Sequence, residues 1–359
     1  MPTEKPGDWM IYGANGYTGA RIARQAAGRG LRPVLAGRSG TKIPALAAEL
    51  DLAHCVFPLR DISQIVESIA PARLVLNCAG PFSATAPPLI EACLRAGVHY
   101  LDITGEIDAI ERAAALDARA REAGITLLPA VGFDVVPSDC LARLLADRLP
   151  AVRRLELAFV SSGGMSPGTA QTVVESLGLG GRVRIDGKIV RVPVAWKTAE
   201  LPICREGQLG VTIPWGDVAS AYYSTGIGNI EVYGIARRGA IRRMRRCAPV
   251  FALLRLPPIR AAVKWIIRRR VRGPSEAQFR ASRSVLWGRV TDEAGRSVEA
   301  TINAPGGYPL TVATSLASVE KVLAGAAPPG FCTPSRAFGG AFIQEIPSVE
   351  LNWEPAEEG

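Results

Sequence analysis

Three glycines, spaced G-x-x-G-x-x-G, follow the short apolar run from Trp9 to Tyr12. Small apolar side chains then recur at helical spacing, so the stretch predicts a strand, a tight turn and a helix. In such a turn Gly13 lets the chain reverse, Gly16 leaves room for a pyrophosphate, and Gly19 lets the helix pack close to the strand. Because the helix N-terminus directs its free N–H groups at the turn, the stretch predicts a dinucleotide-binding site.

The residues after the next two predicted strands indicate which dinucleotide is bound. The apolar run 33–37 ends at Arg38 and Ser39, where a fold that binds NAD usually carries Asp or Glu. A guanidinium can hold a 2′-phosphate through two hydrogen bonds, so we expect NADP(H); the alternative is a solvated arginine. Asp61 is expected to contact the adenine or, alternatively, to cap the helix 62–69.

The remaining cofactor-binding candidates follow the fourth strand. The run Leu74–Phe82 is apolar except for Asn77, as in a strand buried on both faces of a parallel sheet. Its end would lie beside the glycine turn. Strands and helices alternate up to Val131, which predicts a doubly wound parallel sheet. The predicted cofactor-binding residues are Gly13, Asn15, Gly16, Tyr17, Thr18, Gly19, Arg38, Ser39, Asp61, Ala79, Gly80 and Pro81.

Four stretches in this order and spacing resemble saccharopine dehydrogenase-like oxidoreductases. They are Gly13–Gly19, Val75–Phe82, Tyr100–Glu106 and Gly132–Asp139. Later stretches are similar to bacterial members of the family, including trans-acting enoyl reductases, so the resemblance covers nearly the whole chain. These stretches are Trp215–Ile230, Gly273–Glu276, Val285–Gly288 and Gly330–Gly339.

The predicted fold class is α/β, with an N-terminal Rossmann domain and a second α+β domain that holds a mixed or antiparallel sheet. We place the dinucleotide-binding domain at residues 1–139 and the substrate domain at 140–310, with a basic amphipathic insert at 236–272. The resemblance implies that the C-terminal segment, 311–359, packs back on the nucleotide domain.

Three residues are candidates for the proton donor in a reduction. Asp134 would donate from a carboxyl whose pKa is raised by burial, and Tyr222 or Tyr223 would donate from a phenol. For each there is a structural alternative, since Asp134 could hold a turn and a tyrosine could fill the core. The stretch 215–230 is too irregular for a core strand and has the composition of a substrate-pocket wall.

Positive charge is concentrated in one segment of the chain. The net charge is +9, yet the window Val232–Ser275 holds thirteen basic residues and no acidic one, which leaves 9 − 13 = −4 for the rest. Its longest apolar run, Cys247–Leu254, is far shorter than the ~20 residues of a bilayer span. Residues 236–272 therefore predict contact with an anionic membrane surface; docking of an acidic carrier protein or a charged surface helix pair are the alternatives. No nucleic-acid-binding motif accompanies the charge.

Cysteine and histidine usage argues against several other classes. Seven dispersed cysteines without a C-x-x-C pair, and only two histidines, disfavour a disulfide framework, a metal site and a Ser-His-Asp triad. Reduced thiols and an N-terminus, Met1–Asp8, without an apolar segment predict a cytoplasmic protein, peripheral to the membrane if the basic segment binds it. An oligomer is compatible with the sequence.

The sequence thus predicts an NADPH-dependent oxidoreductase. Its basic residues gather in the apolar-basic window instead of in the stretches 162–229, which favours a hydrophobic acyl or lipid-type substrate, including an enoyl group on a carrier. Three alternatives stay open: an imine or carbonyl reductase of a small metabolite, an NADP(H)-binding redox sensor without turnover, and a membrane-surface protein that has lost its chemistry.

Overall fold

The computed structural model describes residues 7–354 and divides them into two units. The first contains the residues up to Phe133 together with Leu310–Phe338, and the second contains Asp134–Pro309 together with the residues from Gly339 onward. Residues 1–6 and 355–359, at the two ends of the predicted domains, lie outside the described residues. Most of the N-terminal stretch without an apolar segment, Met1–Asp8, therefore lies outside the described residues.

The apolar runs of the first unit form six parallel strands, in the order β6-β5-β4-β1-β2-β3 across the sheet. They are β1 (Trp9–Tyr12), β2 (Val34–Gly37), β3 (His54–Val56), β4 (Leu74–Asn77), β5 (His99–Asp102) and β6 (Thr126–Leu128). All residues of β1 and β4 are buried, because helices cover both faces of such a sheet. The strand order reverses between β1 and β4, and ligands bind at the carboxyl ends of the strands at such a point.

Six helices alternate with these strands: α1 (Tyr17–Gly28), α2 (Lys42–Leu50), α3 (Ile62–Ile69), α4 (Phe82–Ala96), α5 (Ile107–Ala114) and α6 (Asp117–Glu122). Helix α4 begins at Phe82 and contains Pro87 and Pro88. Its start is stabilised by Glu106, whose carboxylate accepts hydrogen bonds from the N–H groups of Phe82 and Ser83.

The second unit is built around a mixed sheet. Its elements are α7 (Val136–Ala146), β7 (Val152–Ser161), α8 (Pro167–Leu179), β8 (Gly181–Ile185), β9 (Lys188–Val192), β10 (Thr198–Ala199), β11 (Gln208–Thr212), α9 (Asp217–Thr225), β12 (Asn229–Arg237), α10 (Arg238–Ala252), α11 (Pro257–Arg270), α12 (Glu276–Ala281), β13 (Arg283–Asp292) and β14 (Ser297–Pro305). A 3₁₀ turn, Leu253–Arg255, joins α10 to α11. Strands β7 and β12 are parallel, and the other pairs are antiparallel.

The last elements are shared between the two units. They are α13 (Gly307–Leu323), β15 (Gly330–Phe331), α14 (Pro334–Phe338), the 3₁₀ helix Gly340–Glu345 and β16 (Glu350–Trp353). Strand β15 adds a seventh parallel strand beside β6, whereas β16 pairs with β14 in the second unit. The predicted C-terminal segment 311–359 therefore differs from the structure, since only its part up to Phe338 belongs to the nucleotide-binding unit.

Close packing in the second unit depends on Gly288. A Cβ at this position would lie 2.7 Å from Leu145 Cδ1, so the missing side chain lets α7 pack on β13. Helix α7 begins at Val136. Within its first turn, the hydroxyl of Ser138 donates to the carbonyl of Val135.

The parallel sheet and the mixed sheet confirm the predicted fold class. The stretch 215–230 is more regular than predicted, because it forms α9 and the start of β12. Within residues 7–354, no helix combines the length and the apolarity needed to cross a bilayer.

Candidate functional site

The glycine turn touches the end of β4. Gly13 has φ +82°, a left-handed conformation that a residue with a side chain rarely adopts. A Cβ on Gly13 would lie 2.8 Å from the backbone nitrogen of Ala79. The N–H of Gly13 donates to the carbonyl of Ala36 at 2.8 Å. The structure thus brings three predicted segments, after β1, β2 and β4, to one place.

The start of α1 is open to an anion. A Cβ at Gly19 would lie 2.5 Å from the carbonyl oxygen of Gly13, and one at Gly16 would lie 3.1 Å from it. The helix has no side-chain cap and no acidic residue in its first turn. Gly16, Tyr17 and Thr18 are partly exposed, so the free N–H groups and the dipole of α1 can face a diphosphate. The geometry fits an NADP(H) cofactor.

Arg38 is exposed at the end of β2. Its guanidinium has no hydrogen bond or ion pair with the described residues. It lies close to Tyr12, since burial raises the pKa of that phenol to about 12 and the charge of Arg38 opposes the rise. Ser39 accepts a hydrogen bond from the N–H of Lys42 at 3.2 Å. An unpaired guanidinium at this point is suited to a 2′-phosphate.

Three further predicted residues have contacts of their own. Asn15 is exposed, and its Oδ1 lies 3.4 Å from where a Cβ of Gly37 would be. The ring of Tyr17 is covered by the guanidinium of Arg21 at 3.8 Å. Asp61 accepts a hydrogen bond from the N–H of Ser63 at 2.9 Å and caps α3. The structure thus shows the capping role of Asp61, and its contact with adenine stays a prediction.

A buried amide positions the end of β4. Asn77 is fully buried, and its Oδ1 accepts from the N–H of Ala79 at 3.0 Å. Its Nδ2 donates to the hydroxyls of Thr85 at 3.2 Å and of Tyr100 at 3.1 Å. These bonds fix the backbone that leads through Gly80 and the cis bond to Pro81. Asn77 is therefore a positioning residue that the sequence prediction did not include.

The same network continues to a buried carboxyl, Asp102. Its Oδ2 accepts from the Tyr100 hydroxyl at 2.8 Å, and its Oδ1 accepts from the N–H groups of Thr104 at 3.0 Å and Ala130 at 2.8 Å. Burial raises the pKa of Asp102 to about 6, although these hydrogen bonds oppose the rise. Ala130 takes up the left-handed φ of +63° to make its bond. The network joins the carboxyl ends of β4 and β5 to the chain leaving β6.

The N-terminus of α4 is already occupied by a carboxylate. Glu106 accepts hydrogen bonds from the N–H groups of Phe82 at 2.9 Å and Ser83 at 2.8 Å. The two helix ends near the carboxyl edge thus differ, because α4 is satisfied from within the chain and α1 has no side-chain cap. A phosphate would therefore bind at α1.

The catalytic candidates belong to the second unit. Asp134 is the first residue of the second unit. It is partly exposed, yet the protein around its carboxyl raises the pKa to about 7. Asp217, at the start of α9, is fully buried, and the charges of Asp139 and Asp134 add to burial in raising its pKa well above the usual range. Asp139 is also buried and accepts a hydrogen bond from the Ser224 hydroxyl.

These three carboxyls form an acidic cluster, which we define as Asp134, Asp139 and Asp217. The sequence prediction assigned a role only to Asp134. In the part of the chain that the structure describes, no group of His, Cys, Asp and Glu residues has an arrangement that could hold a metal ion. Mutual repulsion and burial favour protonated carboxyls in such a cluster, which suits proton transfer.

Tyr222 and Tyr223 are adjacent on α9, and their rings meet edge-on at 5.6 Å between centroids. The guanidinium of Arg184 lies 4.2 Å from the centre of the Tyr222 ring. Arg184 also donates to the carbonyls of Val218 at 2.8 Å and Gly187 at 2.7 Å. Tyr222 thus packs on a fixed guanidinium. The structure does not choose between the two phenols and Asp134, and all three stay predictions.

The nucleotide-binding part of the chain is similar to known proteins. Residues 9–128 match the family model described as "Saccharopine dehydrogenase NADP binding domain". The chain is 35% identical to a trans-acting enoyl reductase of Mycobacterium tuberculosis over 146 residues, 38% of this chain and 35% of that protein. It is 33% identical to a probable mitochondrial saccharopine dehydrogenase-like oxidoreductase of Arabidopsis thaliana over 161 residues, again 38% and 35%. For the nucleotide-binding part of the chain, the predicted resemblance and the NADP(H) cofactor are thereby confirmed.

A solved structure shows the fold of nearly the whole chain. Saccharopine dehydrogenase (L-Glu forming) from Saccharomyces cerevisiae matches with a TM-score of 0.67 at 13% identity, covering 97% of this chain and 99% of that one. At this identity the likeness establishes the fold alone. The chain spans about a third of the length of the curated relatives it matches.

The glycine turn generates a first prediction. In Gly13→Ala the new Cβ would meet the Ala79 backbone in a left-handed conformation, so we expect stability to fall by about 2–4 kcal/mol and NADPH binding to weaken. Gly28→Ala is the matched control, because nothing lies within 4 Å of that Cβ; it should change stability by less than about 1 kcal/mol. Thermal unfolding and cofactor titration measure both, and equal behaviour of the two variants would contradict the close contact.

A second prediction concerns pH and Asp102. A carboxyl whose pKa is raised on folding stabilises the fold below its unfolded pKa and loses that stabilisation as pH rises through about 6. Asp102→Asn should remove up to about 3 kcal/mol of the pH-dependent change in unfolding free energy between about pH 4 and pH 6. Urea unfolding at a series of pH values measures it. Asp51→Asn, whose side chain is 95% exposed, should leave the pH dependence as it is in the wild type.

Proposed function

We propose that this chain, whose residues 9–128 match the saccharopine dehydrogenase NADP-binding domain, is an NADPH-dependent reductase of a hydrophobic acyl or lipid-type substrate. The observation that carries the cofactor half of the proposal is Arg38, an exposed and unpaired guanidinium after β2. The open N-terminus of α1 provides the diphosphate site. When bound, NADPH supplies a hydride, and the protein has to hold the acceptor and provide a proton.

The acidic cluster supports an uncharged substrate. Asp134, Asp139 and Asp217 gather carboxyls where α7 and α9 begin. Carboxyl groups offer no positive charge, in either protonation state, to a substrate that carries several carboxylates, such as an amino acid joined to a 2-oxo diacid. A thioester or another neutral acyl group needs no such partner.

The cations near α9 support the same conclusion. Arg184 is buried, and its guanidinium donates to the carbonyls of Val218 and Gly187. Arg143 pairs with Asp147 at 2.7 Å and donates to the carbonyl of Ser224 at 3.2 Å. Both guanidinium groups are thus engaged within the protein, whereas recognition of several substrate carboxylates requires cations that face the substrate.

The named relatives suggest which bond is reduced. The trans-acting enoyl reductases match over the nucleotide-binding part, and their name describes reduction of a C=C bond. We therefore propose an enoyl group as the acceptor. Reduction of an imine or carbonyl in a small metabolite is the second candidate, since the solved structure with the same fold is a saccharopine dehydrogenase.

For the proton we propose Asp134. Its pKa of about 7 keeps the carboxyl partly protonated at neutral pH, where a general acid is most effective. Delivery of a hydride to one carbon of an enoyl thioester leaves negative charge that a proton must neutralise. Burial of the Asp134 carboxyl favours retention of that proton.

The direct test is NADPH consumption with two acceptors: a long-chain enoyl thioester, and a 2-oxo diacid with lysine. We expect oxidation of NADPH with the enoyl thioester and the saturated acyl thioester as product. Turnover of only the 2-oxo diacid with lysine would contradict the enoyl acceptor and support imine reduction. NADPH binding with neither reaction would favour a redox sensor and contradict the proposal.

The cofactor proposal predicts a specific effect of Arg38→Ala. Loss of the guanidinium removes a charge-assisted contact to the 2′-phosphate, so NADPH should bind roughly 10- to 100-fold more weakly. NADH, which lacks that phosphate, should bind as before. Isothermal titration with both cofactors measures the ratio. Arg29→Ala, at the C-terminal end of α1, removes the same charge elsewhere and should change neither affinity; equal losses for both cofactors in Arg38→Ala would contradict the proposal.

The proton donor is tested by Asp134→Asn. We expect kcat to fall about 10²- to 10⁴-fold while NADPH affinity is kept. In the wild type kcat should decline above about pH 7, where the carboxyl loses its proton, and the residual rate of the variant should lack this decline. Tyr222→Phe and Tyr223→Phe are the matched variants. If one of them loses activity and Asp134→Asn does not, a phenol is the donor.

A further inference from the structure

Helix α11 exposes an apolar stripe. Its exposed residues recur in pairs four positions apart, which places them on one face of the helix. After the two prolines at its start, that face carries Ala261, Ala262, Trp265 and Ile266, and it ends with Arg269 and Arg270. Trp265 is 49% exposed and Ile266 is 50% exposed. Large apolar side chains arranged in this way on a surface mark an interaction site.

Helix α10 has the complementary order. Its first turns expose Arg242, Arg243 and Arg246. Its last turn and the 3₁₀ turn that follows expose Val250, by 61%, and Leu253, by 49%. Along residues 238–270 the exposed side chains are therefore mainly basic at the start, apolar in the middle apart from Arg255, and basic again at the end. We call this stretch the basic amphipathic segment.

The segment is anchored to the second unit by its other side. Gly178 of α8 lacks a side chain, and a Cβ there would lie 3.2 Å from Leu254 Cβ. The Nε of Arg255 donates to the carbonyl of Gly178 at 2.8 Å. Ile241 of α10 is buried. Because these contacts hold the inner side, the exposed Trp265 and Ile266 are not needed for packing within the unit.

Apart from Arg238, which pairs with Glu200 at 2.9 Å, the described arginines of the segment have no carboxylate partner. The chain has no acidic residue between Glu231 and Glu276. Among the described residues Arg242, Arg243 and Arg246 have no ion pair. Arg269 lies over the ring of Trp265, 3.9 Å from its centre. The surface therefore combines positive charge with an indole, an arrangement that suits the boundary between phosphate headgroups and acyl chains.

We propose that the basic amphipathic segment binds the surface of an anionic lipid bilayer. Trp265, Ile266 and Leu253 enter the boundary between headgroups and acyl chains, and the arginines at the two ends contact lipid phosphates. The segment lies on the membrane and does not cross it, since no described helix is long and apolar enough to do so. This inference is independent of the proposed function and would hold for any activity of the chain.

The test is flotation of the full-length protein with vesicles of phosphatidylcholine alone or mixed with phosphatidylglycerol. We expect binding to the mixed vesicles only, weakened by salt. Arg269→Gln with Arg270→Gln should weaken binding roughly 25-fold, since each surface arginine contributes about a factor of five. Arg29→Gln with Arg191→Gln removes the same charge from exposed sites elsewhere and should bind as the wild type does.

A second readout reports insertion and does not depend on charge. Acyl chains brominated near the headgroup should quench part of the tryptophan emission, and Trp265→Phe should remove that part while binding is kept. Trp265→Ser with Ile266→Ser should abolish flotation. Equal binding to neutral vesicles, no effect of the Arg269 and Arg270 pair, or binding of an acidic carrier protein without vesicle binding would each overturn the proposal. NADPH oxidation in detergent-free buffer is measured in parallel, so that failure of the activity is distinguished from failure of membrane binding.

Discussion

The close approach of two backbones, at Gly13 and Ala79, sets the geometry of the nucleotide-binding unit. The two segments follow the neighbouring parallel strands β1 and β4. A Cβ on Gly13 would push the two backbones apart. The contact fixes where the glycine turn ends and where α1 begins. Asn77 holds the other side of the contact through its bond to Ala79. The absence of a side chain at Gly13 and the buried amide of Asn77 thus together determine the shape of the predicted anion-binding site.

Short-range patterns predicted most of the first unit. β1 and α3 have the predicted bounds, because an apolar run between turn residues and an Asp cap are local signals. The buried network at the strand ends was not predicted as part of the site. Tyr100 and Ala130 lie 23 and 28 residues from their partners Asn77 and Asp102, and no local pattern indicates that such residues meet. The sequence signal for this network was Asn77, a polar residue within an otherwise apolar strand.

The second unit was harder to predict for two reasons. Its acidic residues come together from distant parts of the sequence, and helix α9 contains many residues of weak helix propensity. Helix α9 is rich in Ser, Thr and Tyr, yet it forms because it buries Val218, Ala219 and Ala221, so packing overrides weak propensity. Asp217 and Asp139 lie far apart in sequence and meet only in the fold. The unit holds an acidic cluster, of which Asp139 and Asp217 are buried, and a separate exposed basic segment. The net charge of the whole chain does not show this division.

The seventh strand of the nucleotide-binding sheet comes from the far end of the chain. Strand β15 pairs with β6 through Gly330 and Phe331, and Asp117 accepts from the N–H of Phe331 at 2.7 Å. During translation β6 leaves the ribosome some two hundred residues before its partner. Its unpaired edge is a template for wrong pairing in that interval. The order of the chain therefore gives the nascent polypeptide a period in which this edge is exposed, and the period ends only after Gly330 and Phe331 have been made.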